Sequence, residues 1–373
     1  MSINMNSFII GGDFVLPKQE SVPFNSLWGD LFEVIQEHDY FFLNIEAPIT
    51  DCTEAIFKTG PAIKMDESAL GPLSCFSNVV ASLANNHVLD FGPIGIENTL
   101  LKLKEHSIKW LGAGKHIEEA KKPFIISLDG VEVGFINTCE TEWCAATASS
   151  PGAYTLNIYS LYHQIKELKK LVKYVVLIIH GGSEYYNLPS PERQSLYRLF
   201  IDFGFDAIVS HHTHCISGVE LYKNKPIIYG LGNLAFPTDN KSPSWNEGMF
   251  ASFSVTNDYL AFDLIPFKYD NFRLRKLTEN EQVDFCERQQ TLNSIISDEE
   301  MLDKHWRSYA TSQLPSILNY LLFPRLISFF CRKLNIEFSF NSFKFKTLNY
   351  LRCESHHNVL LTALKEWAGN SGK

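Results

Sequence analysis

The sequence predicts an α/β fold of stacked sheets and helices, and three observations carry that prediction. Short β-branched and aromatic runs recur along the chain and end in Gly, Asn, Asp, Glu or His. Amphipathic stretches with helical spacing lie between several of them. One run, Asp206-Ala-Ile-Val209, stops at three histidines, His211, His212 and His214.

The whole chain sets the bounds. Its 373 residues suffice for one large domain with an appendage, or for two domains. Hydrophobic residues make up 45% and Phe alone contributes 28, so an ample core is expected. A formal charge of −9 argues against binding nucleic acid through overall positive potential. An anionic substrate stays open, because a metal centre reverses the local sign. The 8 cysteines show no CxxC spacing and read as reduced thiols of a cytosolic protein. Residues 1–7 lack the basic and apolar regions of a signal peptide. The strongest apolar run, 317–331, is interrupted by Asn319, Pro324 and Arg325 and is too short to span a bilayer. Within it, Leu321 to Phe330 reads as core packing or as a membrane-surface helix. A cytoplasmic protein without a transmembrane segment is the expectation.

In chain order, Ser7-Phe-Ile-Ile10 reaches Gly11-Gly-Asp13, and Asp39-Tyr-Phe-Phe-Leu43 reaches Asn44-Ile-Glu46. Asn78 to Leu83 reaches Ala84-Asn-Asn-His87, and Tyr174 to Ile179 reaches His180-Gly-Gly182. Ala207-Ile-Val209 reaches the histidine loop. Such continuous runs suit strands buried on both faces. Helices are expected over Ile94–His106, over Tyr159–Lys173, and from Pro191 to Phe203 before Gly204. Lys225–Tyr229, Met249–Val255 and Tyr259–Pro266 read as further strands, the last two joined around Asn257-Asp258. Beyond Asp270 the character changes: Asn280–Gln313 is polar and helical, Leu314–Leu334 aromatic and apolar, and Asn349–Trp367 a further helix. This predicts a main domain over 1–270 and a mainly helical C-terminal extension over 271–373, with no chemistry evident in the extension. His305, His356 and His357 read there as surface or partner residues.

In α/β folds ligands gather beyond the C-terminal ends of the strands, where these residues fall. Asp13, Glu46, Asn86, His180, His212 and His214 form a mixed nitrogen and oxygen set suited to manganese, iron or zinc. Such a set fits a dinuclear hydrolase, in which one carboxylate bridges two cations that activate water and hold the substrate's oxygens.

The ordered series Gly12-Asp13, Asn44-Ile-Glu46, Ala84-Asn-Asn-His87, His180-Gly-Gly-Ser-Glu184-Tyr185, Ser210-His-His-Thr-His214 and Tyr229-Gly-Leu-Gly-Asn233 resembles the CapA family. Leu111-Gly-Ala-Gly114 and Asn137-Thr-Cys-Glu140-Thr-Glu142 also look like segments of these poly-γ-glutamate capsule synthesis proteins. The family belongs to the calcineurin-like metallophosphoesterase superfamily, and the likeness runs from about residue 7 to 266. It implies a four-layer metallophosphoesterase-like sandwich, two mixed sheets flanked by helices. It implies Asp13 and His214 at a first metal, Asn86, His180 and His212 at a second, and Glu46 between them: one or two divalent ions in all. His87 takes the place of the superfamily's catalytic His and would protonate the leaving atom.

Two departures stand out. The superfamily's Asp-x-His opening reads Asp13-Phe-Val15, and Ile49 stands where a carboxylate would orient the catalytic His, with Asp90 as a substitute. The implied activity is metal-dependent hydrolysis in capsule or surface-polymer synthesis, on an anionic or polymer-derived substrate and beside the polymer-synthesis machinery. The rivals are a non-catalytic accessory protein and a γ-glutamyl amide hydrolase.

Blander accounts stand beside these roles. Asp13 could serve as a turn residue, Asn85 and Asn86 as helix caps, and His87 as a satisfied core histidine. Glu184 and Tyr185 touch substrate or only pack their loop. His211 occupies the place of a superfamily Gly, at the rim. Glu140 and Glu142 form a rim pair or a solvated turn. Asn233 serves the site or shapes the Gly230-Leu-Gly232 turn.

Overall fold

The computed structural model describes residues 6–16, 26–238, 243–334 and 341–370. The strands in chain order are β1 (Ser7–Phe14), β2 (Tyr40–Ile45), β3 (Val79–Ser82), β4 (Lys109–Leu111), β5 (Ala113–Gly114), β6 (Phe124–Leu128), β7 (Val131–Cys139) and β8 (Gly152–Ala153). They continue as β9 (Tyr174–His180), β10 (Ala207–His211), β11 (Val219–Tyr222), β12 (Lys225–Ile228), β13 (Asn233–Ala235), β14 (Glu247–Val255), β15 (Leu260–Asp270) and β16 (Arg273–Lys276). One sheet of eight strands runs β16-β15-β14-β1-β2-β3-β4, with β13 also on β1; a second of six runs β11-β12-β10-β9-β7-β6. The strands that end in candidate ligands are parallel to their neighbours: β1 to β2, β2 to β3, and β9 to β10.

Side-chain alternation explains the layering. Phe8 and Ile10 of β1 join Val176 and Ile178 of β9 in a core between the two sheets. Ile9 faces the other way, into a layer with Leu31 and Ile35 near α1 (Phe32–Gln36) and Ile96, Leu100 and Leu103 of α2 (Gly92–Glu105). Val175, Leu177 and Ile179 meet Leu161 and Ile165 of α4 (Ile158–Leu168) and Phe200 of α5 (Pro191–Phe203), after the short α3 (Ile117–Ala120). A period of two with both faces apolar requires a layer on each side. The four-layer sandwich expected from the sequence is the architecture observed.

Two places differ from the expectation in an instructive way. The β6–β7 hairpin, unread in the sequence, turns on Asp129-Gly130 at φ of 47° and 79°, the mirror-image turn that Asp-Gly favours. The helix expected from Asn349 is two helices, α8 (Asn341–Arg352) and α9 (Glu354–Asn370). The break falls where Cys353, Glu354 and Ser355 turn to bond Glu140 and Thr141 of the sandwich.

The C-terminal region is helical, beginning with α6 (Glu279–Ser297) and α7 (Glu299–Leu334). Asp298 separates them, its carboxylate accepting from Glu300 and Met301 N–H at 3.0 Å. Leu292 and Ile296 of α6 pack into the outer core beside β10 and β12. Trp306 and Ala310 of α7 pack with Val359 and Ala363 of α9 in a small core of their own. The apolar run from 317 lies in α7, and its side chains beyond Ile317 fall outside the described residues. Among the described residues, no helix is long and apolar enough to cross a membrane.

Candidate metal centre

The loops at the C-terminal ends of β1, β2, β3, β9 and β10 converge, and each brings one or more of the expected ligands. Close backbone approach sets the first of them. A Cβ on Gly12 would lie 2.0 Å from the Gly232 carbonyl, so only glycine lets β1 run against the Gly230-Leu-Gly232 turn. Asp13 follows directly, its N–H 3.3 Å from that same carbonyl. Asn44, opposite Asp13 on β2, donates Nδ2 to Asp13 Oδ1 at 2.7 Å. Asn85 in turn donates to Asn44 Oδ1 at 3.2 Å, so Asn85 orients this layer while Asn86 faces the cluster.

Two donor sets share Glu46: Glu46, His180 and His212 in one, Asp13, Glu46 and His214 in the other. His180 Nε2 lies 3.0 Å from His212 Nδ1, 3.0 Å from Asn86 Oδ1 and 3.4 Å from Glu46 Oε1. His214 Nδ1 lies 3.4 Å from Asp13 Oδ2. Both Glu46 oxygens are buried and accept no hydrogen bond among the described residues. That is costly for a carboxylate in isolation, and it is the arrangement that a bound cation satisfies.

The electrostatics agree. Burial pushes His180 and His212 well below the usual histidine range, so their nitrogens are neutral lone-pair donors. Burial, reinforced by Asp13, pushes Glu46 well above the usual carboxylate range. Burial also opposes charge on Asp13, yet its bond to His214 and the nearby imidazoles hold it well below its ordinary value. Burial lowers His214 too, but Glu46 and Asp13 outweigh it and push the imidazole up to about 10. Buried carboxylates beside the neutral imidazoles of His180 and His212 make a mixed oxygen and nitrogen set that fits a divalent ion of the manganese, iron or zinc kind.

Backbone strain marks the same loop. His212 and His214 sit at φ of 91° and 54°, the left-handed region that non-glycine residues seldom occupy. Strain of this sort persists where the fold over-determines a functional geometry.

His87 stands beside the cluster, its Nδ1 donating to Asp90 Oδ2 at 2.7 Å. Asp90 is fully buried and also accepts from Ile63 N–H at 2.8 Å. Its other oxygen pairs with Lys58, whose Nζ is 3.1 Å from His87 Nδ1. Lys58 escaped the sequence reading. It comes from an irregular loop with no periodic signal, and only its place near a buried Asp reveals it.

The remaining expected residues scatter by role. Asn233 is buried, accepts from His214 Nδ1 at 3.0 Å and donates to the Trp245 carbonyl at 2.9 Å. His211 bonds the Gly11 carbonyl at 2.9 Å through Nε2 and does not line the cleft. Glu184 and Tyr185 do line it, with Asn86 and His87, around a cavity of about 440 Å³. Trp245 and Phe236, also unread in the sequence, wall His214 with ring centroids 4.7 Å and 5.5 Å away. Glu140 lies beneath Gly181, where any Cβ would come within 2.6 Å of its Cγ. It forms a buried ion pair with Arg193 rather than a solvated turn.

Residues 8–238 match the family model described as bacterial capsule synthesis protein PGA_cap. The chain is 34% identical over 163 residues to the capsule biosynthesis protein CapA of Bacillus anthracis, covering 42% of this chain and 40% of that protein. It is 28% identical over 234 residues to the PGA biosynthesis protein CapA of Bacillus subtilis, covering 61% of each. It is 22% identical over 279 residues to a probable polyglutamine synthesis accessory protein of Mycobacterium tuberculosis, covering 68% of this chain and 73% of that one. The matched stretch thus spans less than two thirds of either Bacillus relative.

Proposed function

The chain belongs to the bacterial capsule synthesis protein family, and from that premise we propose that it is a metal-dependent hydrolase of capsule or surface-polymer synthesis. One observation carries the reading: a buried carboxylate, Glu46, with no hydrogen-bond donor among the described residues, ringed by Asp13, His180, His212 and His214. With Asn86, these residues would hold one or two divalent ions. Such ions supply Lewis acidity and an activated water to phosphoester and amide-like bonds.

The protein's own groups do the rest. Asp90 fixes the His87 ring through Nδ1, which leaves Nε2 to deliver a proton to the leaving atom. Lys58 pairs with the other oxygen of Asp90 and balances its charge in the interior. Asn233 holds His214 in its strained place, and Tyr185 borders the cleft against Trp245. The reading places the protein in the cytoplasm, beside polymer-synthesis machinery and acting on an anionic, polymer-derived substrate.

The test is hydrolysis by manganese-loaded protein of p-nitrophenyl phosphate and of γ-linked glutamate oligomers. Activity abolished by His212→Ala and by Asp13→Ala supports the proposal, and turnover of the oligomers alone makes the enzyme a γ-glutamyl amide hydrolase. The rival is a non-catalytic accessory protein. It draws on Val15, which stands where a histidine would complete the first donor set, and on the name of the mycobacterial relative. A loaded wild type that turns over neither substrate yet retains a partner in pull-downs establishes that rival.

A further inference from the structure

The cavity beside His87 has two walls of different origin. Lys58, Asn86, His87, Glu142 and Tyr185 come from the sandwich. The facing wall comes from the C-terminal extension: Tyr309 and Gln313 of α7, Lys346, Asn349 and Tyr350 of α8, and His356 of α9. The family match ends at residue 238, so the extension lies outside it.

This wall is anchored. Glu354 accepts from the Thr141 N–H at 2.9 Å and from the Thr141 hydroxyl at 3.2 Å. Ser355 donates to Glu140 at 2.8 Å, and Glu140 is held by Arg193. Glu140 N–H bonds the carbonyl of His180 at 3.0 Å, so the extension's anchor lies one backbone hydrogen bond from a candidate ligand.

Its chemistry is one-sided. In a chain of net charge −9, the extension contributes no carboxylate to the cavity among the described residues and does contribute a lysine and a histidine. Asn349 is 5% exposed and donates both its amide hydrogens, to Glu142 Oε2 at 3.3 Å and to His356 Nδ1 at 2.9 Å. His356 therefore carries its proton on Nε2, as a donor. Asn349 Oδ1 is buried with no hydrogen-bond partner among the described residues. A buried carbonyl left unmatched in a polar cavity is an acceptor built for a ligand's N–H or O–H.

We propose that the C-terminal extension is the specificity wall of the cleft. Lys346 and His356 hold an anionic group of the substrate, and Asn349 accepts from its neighbouring donor. This rests on reading the metal cluster as the reacting centre. Carboxylate and phosphate share the required chemistry.

Calorimetric titration of the manganese-loaded full chain with glutarate and, separately, with inorganic phosphate tests it. The expected result is binding of at least one probe, and which one binds names the source of the anion. Lys346→Ala then weakens binding about tenfold, the loss of one charge-assisted hydrogen bond, and Lys346→Arg restores most of it. His212→Ala, which dismantles the metal cluster, leaves that binding in place. Melting of the variants within about 1 °C of wild type shows that the wall is intact. Failure of both probes to bind overturns the proposal, as does a Lys346→Ala protein that binds like wild type. So does a His212→Ala protein that loses binding as fully as Lys346→Ala does. Binding that follows this pattern in a protein that hydrolyses nothing upholds the wall and overturns only the hydrolase reading.

Discussion

Replacing Arg193 with Met probes how the extension is tied to the sandwich. Arg193 is 9% exposed, and its guanidinium bonds Tyr197 Oη at 2.7 Å, Ser355 and the carboxylate of Glu140, itself 5% exposed. Methionine fills much of the volume but strands the Glu140 charge in the interior. Removing one member of a buried pair typically costs about 3–5 kcal/mol. With an unfolding entropy of about 2.1 cal/mol/K per residue, a chain of this size should lose about 4–6 °C in Tm. Glu140→Gln in the same background removes the stranded charge, and the double variant should recover about 2 kcal/mol or more. Thermal and urea unfolding of the four proteins in the cycle measure this. A loss under about 1 kcal/mol for Arg193→Met, or the same loss in the Glu140→Gln background, refutes the reasoning.

Three further outcomes follow from particular residues. His212→Gly should be more stable than His212→Ala by about 1 kcal/mol, because only glycine occupies φ of 91° without strain; urea midpoints reversed in order contradict this. Glu281→Ala should cost about 1 kcal/mol at pH 7, since the residue caps α6 through Thr278 and pairs with Arg275 at 2.7 Å and 2.9 Å. Those bonds, the one to Arg275 foremost, hold its folded pKa below the ordinary 4.5, so the stabilisation is present above that value and lost as pH falls beneath it. The gap between variant and wild type should narrow as pH falls below 4.5, and a gap that stays constant across the acid range sinks the assignment. Manganese at a hundred times its Kd should stabilise the wild type by about 2.7 kcal/mol, or about 3 °C in a melting scan, and leave Glu46→Ala unmoved.

The sandwich was legible in the sequence because its parallel strands are apolar on both faces and stop abruptly at polar residues. Phe8-Ile-Ile10 and Tyr174 to Ile179 need no partner to be recognised as buried strands. The convergence of Asp13, Glu46, His180, His212 and His214 was legible from the rule that sites form beyond strand C-termini, while the choice of Asn86 over Asn85 rested on the family resemblance. What stayed hidden depended on tertiary approach. Lys58 lies in an irregular loop and meets Asp90 only in space. Lys346, Asn349 and His356 sit on helices at spacings that read as an ordinary solvated face. Trp245 and Phe236 have no motif and matter only because His214 packs against both. The β6–β7 hairpin was in principle readable, since Asp129-Gly130 between apolar runs is a strong turn signal.

The central claim is that Glu46 lies at the heart of a cation site. Its most direct test is elemental analysis of the full chain after loading with manganese and desalting, beside Glu46→Ala treated alike. One or two equivalents of metal in the wild type and a near-complete loss in the variant are the predicted result. A metal-free wild type, or a variant that keeps its metal, contradicts the account.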